Sequence, residues 1–177
     1  MTRIRPLLAA LLVWLTGHGG TVPVLAQGST AAHVHGEARL ELALDARGFE
    51  VRIWIPMESL IGYERAPRSA QEIRDYESAI DRLRTTDGVM RPSTGAGCSG
   101  RLLELIQPDW ATVSNGHAEM AIAYRFECSE PARLAALELM LFDRFSRLRS
   151  IDARLVDQKG ARAQRLGRRT RILKIER

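Results

Sequence analysis

The sequence predicts a mainly β, α+β domain: an antiparallel β domain of about six or seven strands with one packed helix near residues 69–85. Three observations carry this expectation. Apolar and polar residues alternate with period two in several separate stretches, the pattern of half-buried strands. Only one stretch has apolar residues at helical spacing, and it follows a capping signal. Short clusters of Asp, Gly, Pro and Ser divide the stretches from one another.

In chain order, Val34, Ala38, Leu40, Leu42 and Leu44 share one parity, while His33, His35, Glu37, Arg39, Glu41 and Asp45 share the other. This reads as a strand with a wet outer face. Asp45-Ala46-Arg47-Gly48 is a turn, and Phe49, Val51, Ile53 and Ile55 continue as the second arm of a hairpin that Pro56 ends. Trp54 falls on the outer parity and is expected to pack under the helix. Ser69 with Glu72 forms a capping box, and Ile73, Tyr76, Ile80 and Leu83 form the apolar stripe of the helix. Residues 91–100 read as a loop and 101–106 as a strand. Alternation returns in Ala118, Met120, Ile122, Tyr124, Phe126 and Cys128. Residues 134–142 suit strand or helix equally. Ile151, Ala153 and Leu155 suggest a further strand, residues 157–160 a turn, and residues 171–175 a last strand.

The first residues have the three parts of an export signal. Arg3 and Arg5 precede an uncharged apolar run from Leu7 to Leu15, and Val24-Leu25-Ala26 offers a cleavage site. Gly17, Gly19, Gly20 and Pro23 interrupt the run, which argues against a membrane anchor. The expected organisation is a signal peptide over 1–26 and a single β-rich periplasmic domain over 27–177, with no stable membrane insertion after cleavage. The chain carries +5; removing Arg3 and Arg5 leaves 5 − 2 = +3. That balance gives no support for a nucleic-acid partner. In an oxidising compartment Cys98 and Cys128 are expected to form one structural disulfide, since neither C-x-x-C spacing nor a third cysteine suggests metal thiolates. The stretch 162–177 holds seven basic residues and reads as a basic C-terminal tail, either a contact for an anionic partner or a solvated, frayed end.

The histidines left after cleavage are His33, His35 and His117, all on outward parities. Such histidines are either solvated surface residues or ligands. His33, His35 and Glu37 alternate, and so do His117 and Glu119, so two strands meeting at these ends would gather nitrogen and oxygen donors. Three histidines with a carboxylate suit zinc, with copper and nickel also accepted by such donors. Neutral imidazole is the ligating form, so binding is expected to weaken as pH falls below about 6.5. No G-x-S-x-G, H-E-x-x-H, Walker A or dinucleotide fingerprint occurs, and no enzymatic activity is expected.

Five segments in order carry a resemblance: His33-Val34-His35-Gly36-Glu37-Ala38-Arg39-Leu40, Leu60-Ile61-Gly62-Tyr63-Glu64-Arg65-Ala66-Pro67, Gly97-Cys98, His117-Ala118-Glu119 with Tyr124-Arg125-Phe126-Glu127-Cys128, and Leu141-Phe142-Asp143-Arg144-Phe145. Over roughly residues 33–157 the chain resembles the ZrgA-like family of periplasmic proteins associated with zinc uptake. The resemblance implies a zinc-binding protein that assists uptake, delivering to a zinc transporter or its binding protein, with His33, His35 and His117 as ligands. Glu37 and Glu119 are the weaker candidates, as ligands or as acceptors that orient a histidine. Two departures stand out. Arg65 replaces a histidine typical of the family, and residues 107–116 lack the histidine-rich loop of many members. The alternative expectation is therefore an envelope protein-interaction module that has lost metal binding.

Overall fold

The structure is a computed structural model that describes residues 34–113 and 117–176. The signal segment and His33 lie outside the described residues. Among the described residues no helix is long and apolar enough to cross a membrane.

Alternation sets the large sheet. β1 (Glu37–Leu44) and β2 (Gly48–Pro56) form the expected hairpin, and Asp45 closes its turn by accepting from the amides of Arg47 and Gly48 at 2.8 and 3.0 Å. β5 (Glu119–Cys128) lies antiparallel to β2, and β4 (Cys98–Ile106) lies antiparallel to β5 with a bulge between Leu102 and Glu104. β7 (Ser150–Asp157) and β8 (Gly160–Gly167) complete the order β4-β5-β2-β1-β7-β8. A smaller sheet has the order β3 (Met90–Pro92), β6 (Ala136–Leu139), β9 (Ile172–Lys174).

Two parts of the expected architecture are corrected. The large sheet is mixed, because β1 and β7 run parallel. Parity tells which face of a strand is buried and is silent on the direction of its neighbour. The described residues also hold nine strands rather than six or seven. β3 is three residues long, too short to alternate. β8 is an edge strand with only Leu166 buried, so its Ala and Arg residues show no apolar period. The stretch 162–177 is consequently no frayed tail: most of its described residues form β8 and β9.

The inward residues of β1, β2, β5 and β7 are buried, and they join Leu137, Leu139 and Leu173 of the small sheet in one core. The main helix, α2 (Ala70–Arg84), packs Ala79, Ile80 and Leu83 into that core. Ser69 caps it by accepting from the Glu72 amide at 3.2 Å. Tyr124 fixes the helix to the sheet, its hydroxyl donating to the Leu83 carbonyl at 2.5 Å. Ile73, placed on the apolar stripe by its spacing, is exposed instead, one turn beyond the reach of the core. Trp54 does not lie under α2. It faces outward beside its register partner Arg39, whose guanidinium sits 5.3 Å from the ring centroid. Two short helices were not expected: α1 (Met57–Ile61), directly after β2, and α3 (Leu141–Arg144), which ends the undecided stretch that begins as β6.

Cys98 and Cys128 are directly opposed in the register of β4 and β5 and form a disulfide. The bridge ties edge strand β4 to the sheet across a sequence separation of 30. Replacing both cysteines by alanine is expected to lower stability by about 3 kcal/mol, the value for a loop of this order. Urea denaturation of the oxidised protein and the double variant measures it; coincident midpoints would remove the bridge from the account of stability.

Candidate metal centre

Register decides what meets at one end of the large sheet. Arg39 near the start of β1 pairs with Trp54 near the end of β2, and Pro56 at that end pairs with Glu119 at the start of β5. The residues entering β1, leaving β2 and entering β5 therefore share one edge. His35 precedes β1, the connection carrying Glu64 follows β2 and α1, and His117 precedes β5.

His35 does not sit in an extended strand, as its spacing suggested. β1 starts at Glu37, and the chain before it turns, with the Glu37 amide donating to the Val34 carbonyl at 3.0 Å. Gly36 makes this turn at φ +83°, and a Cβ there would lie 2.3 Å from Arg149 Nε. The positive φ favours glycine here. The Gly36 amide donates to the buried Ser59 hydroxyl of α1 at 3.0 Å, and its carbonyl accepts from the amides of Arg149 and Ser150 at 2.8 and 3.1 Å. The Arg149 guanidinium holds the His35 carbonyl. His35 is thus mounted on a fixed turn between α1 and β7.

Glu64 is placed by the end of α1. Gly62 terminates that helix in the left-handed region, at φ +92°, with its amide donating to the Glu58 carbonyl at 2.8 Å. The following residues are stapled to α2. Arg65 forks onto the Glu72 carboxylate at 2.6 and 2.9 Å and lies 4.6 Å from the Tyr63 ring centroid, while the Tyr63 hydroxyl donates to the Glu72 carbonyl at 3.2 Å. Glu72 also accepts from the Arg68 amide at 2.6 Å. The Arg65 guanidinium, followed by that amide, holds the Glu72 carboxyl at about 2, well below its ordinary 4.5.

Between these supports the Glu64 carboxylate is 6% exposed. Among the described residues both of its oxygens are buried without a hydrogen-bond partner. His35 Nε2 lies 3.7 Å and His117 Nδ1 3.8 Å from the same oxygen, Oε2. His117 is carried on a tied backbone, since the neighbouring Ala118 carbonyl accepts from the Met57 amide of α1 at 2.8 Å. Both imidazoles are about half exposed, at 59% and 48% of the side chain. The group is thus a buried anion reached from solvent through two histidines.

The separations are wider than those of a closed ligand shell. Two donors each 2.0–2.1 Å from one tetrahedral zinc stand roughly 3.3–3.4 Å apart. Accordingly, no group of three or more His, Cys, Asp or Glu among the described residues is drawn together closely enough to hold a metal ion as it stands. The donor chemistry nevertheless fits one: an orphaned buried carboxylate wants a cation, and two imidazoles flank it.

The other expected donors have arginine partners. Glu37 is bound by Arg165, which also contacts Asp152 at 3.0 Å. Glu119 accepts from Arg39 at 3.2 and 3.4 Å. Glu64 is the residue that sequence reasoning missed. It lies in a non-periodic connection, where parity has nothing to say. Its signal was the segment Gly62-Tyr63-Glu64, an acid two residues after a glycine helix stop.

A family model described as ZrgA family zinc uptake protein matches residues 32–175, which include every strand from β1 to β9 and all three residues of the group. The chain belongs to that family. No curated protein matches it. Arg65, the departure that would set a cation beside a metal, has its charge met by Glu72.

The Arg65–Glu72 staple has a pH signature. Because the folded carboxyl is depressed to about 2, its contribution is complete above the ordinary 4.5 and is lost as pH falls toward 2. Thermal midpoints are expected to drop across that window, and Glu72→Gln is expected to give a shallower drop. Parallel profiles for the two proteins would show that the pair adds no net stability.

Proposed function

We propose that this ZrgA-family chain is a periplasmic, non-catalytic zinc-binding protein that serves zinc uptake. In this reading Glu64, His35 and His117 take the ion as cargo, and His33 supplies a fourth donor. The carrying observation is the buried, unpartnered Glu64 carboxylate with an imidazole nitrogen 3.7 and 3.8 Å from one oxygen. A contraction of roughly 0.4 Å per histidine would bring each imidazole nitrogen to zinc spacing from Glu64 Oε2. Both histidines are exposed enough to move by that amount, whereas Glu64 is fixed. The same donors suit copper and nickel; the zinc uptake description of the family supports zinc.

The centre faces solvent on its histidine side, as a site that loads and unloads requires. The recipient on this reading is a zinc transporter or its binding protein. The rival, an interaction module working through a basic tail, loses much of its support. Arg162, Arg165 and Arg171 are ion-paired to Asp157, to Glu37 and Asp152, and to Asp143. Arg168 is engaged by backbone carbonyls.

Zinc titration of the exported chain by calorimetry tests the assignment. Glu64→Gln, His35→Ala and His117→Ala are each expected to weaken zinc by more than about 10-fold, since even groups that only orient a ligand are worth 10–100-fold. Circular dichroism is expected to remain that of the wild type. Equal affinity in wild type and the triple variant would sink the site.

A further inference from the structure

α1, α2 and the segment after α3 enclose a second cleft, of about 250 Å³. Its polar lining is Ser59 of α1 and Asp75, Ser78 and Arg82 of α2, with Arg144, Ser146 and Arg147. Three guanidinium groups against one carboxylate give 3 − 1 = +2 in a small volume. Several arginines elsewhere are ion-paired, among them Arg39 with Glu119, Arg65 with Glu72, Arg125 with Asp45 and Arg171 with Asp143. Arg82, Arg144 and Arg147 have no ion-pair partner among the described residues. The cleft lining thus carries an excess of positive charge that a bound anion would complement.

The backbone that presents them is held in place. The Arg168 guanidinium donates to the carbonyls of Phe142, Phe145, Ser146 and Leu148, the last three at 3.1, 2.6 and 3.4 Å. Arg82 Nη1 donates to the Arg144 carbonyl at 3.3 Å, which ties α2 to the end of α3. The Arg147 guanidinium packs against Gly62, 2.9 Å from where a Cβ would stand. Ser78 and Ser146 add hydroxyl donors. Planar guanidinium forks with hydroxyls beside them match a planar carboxylate or a tetrahedral phosphate.

We infer that this cleft binds a small oxyanion, of the carboxylate or phosphate class. The inference does not depend on metal binding at Glu64. Titrating the purified, metal-free chain with inorganic phosphate and, separately, with succinate at fixed ionic strength tests it and distinguishes the two sources. At least one is expected to saturate at one equivalent. The Arg82→Gln/Arg147→Gln variant is expected to bind it at least about 10-fold more weakly, since hydrogen bonds to charged groups are lost. Glu64→Gln is expected to bind it like wild type, while losing zinc if the metal reading holds. Arg147→Lys, which keeps the charge and loses the fork, is expected to fall between wild type and the double variant. No saturation by either anion, or equal binding by wild type and the double variant at an unchanged melting temperature, overturns the inference.

Discussion

Strand β2 is paired on both sides, with β5 along its whole length from Pro56–Glu119 to Gly48–Glu127 and with β1 from Arg39–Trp54 to Leu44–Phe49. The candidate centre depends on this double register. A one-residue slip of either neighbour would turn its buried face outward, and the core residues Leu40, Ile53 and Ile122 forbid that. The register that buries these side chains also fixes where the chain enters β1 and β5. The histidines preceding those strands are therefore brought to the same edge by core packing. The chain leaving β2 emerges between them, and α1 returns it over that edge to deliver Glu64.

A carboxylate buried without donors is unfavourable as an anion, because its lost hydration is not replaced. Natural proteins keep such groups where something outside the polypeptide, or a change in protonation, completes them. The supports around Glu64 make relaxation away from this state difficult. Gly62 sets the helix stop, Arg65 and Tyr63 pin the following residues to α2, and Ser59 links α1 to the turn bearing His35. The polypeptide thus holds the carboxylate rigidly and leaves the imidazoles accessible. A cation brought between them would meet a pre-formed negative charge and two adjustable nitrogen donors.

The legibility of this chain follows the reach of each physical rule. Period two found β1, β2, β5 and β7, because each buries one face completely. The capping signal at Ser69 and Glu72 located α2 to within a residue at each end. Direction of pairing escaped, since the parallel contact of β1 with β7 is made by backbone groups that every sequence shares. Strand β8 escaped because an edge strand with polar residues on both faces has no apolar period. Of the centre, His35 and His117 were readable as outward-facing donors. Glu64 was not, because its burial comes from the folding of a connection over the sheet edge. The extended geometry assumed for residues 33–37 failed at Gly36, whose positive φ turns the chain before β1 and whose backbone is tied to Ser59, Arg149 and Ser150, all distant in sequence.

Arginine does much of the positioning that hydrophobic contact does elsewhere in a domain of this size. Arg149 holds the His35 carbonyl, Arg65 staples the Glu64 segment, Arg165 binds Glu37 near the start of β1, and Arg168 gathers the carbonyls after α3. Each acts at a connection, where no apolar face is available to fix the backbone. Guanidinium is suited to this because its several donors lie in one rigid plane and remain charged at any physiological pH. The basic composition of the C-terminal stretch therefore has a structural cause. Arg162 and Arg165 of β8 pair with Asp157 and with Glu37 and Asp152, while Arg168 and Arg171, between β8 and β9, reach carbonyls after α3 and Asp143. This arrangement separates two roles for positive charge in the molecule. Arg65 and Arg149 fix the connections that carry Glu64 and His35, while Arg82, Arg144 and Arg147 line the cleft beside α1 without an ion-pair partner among the described residues.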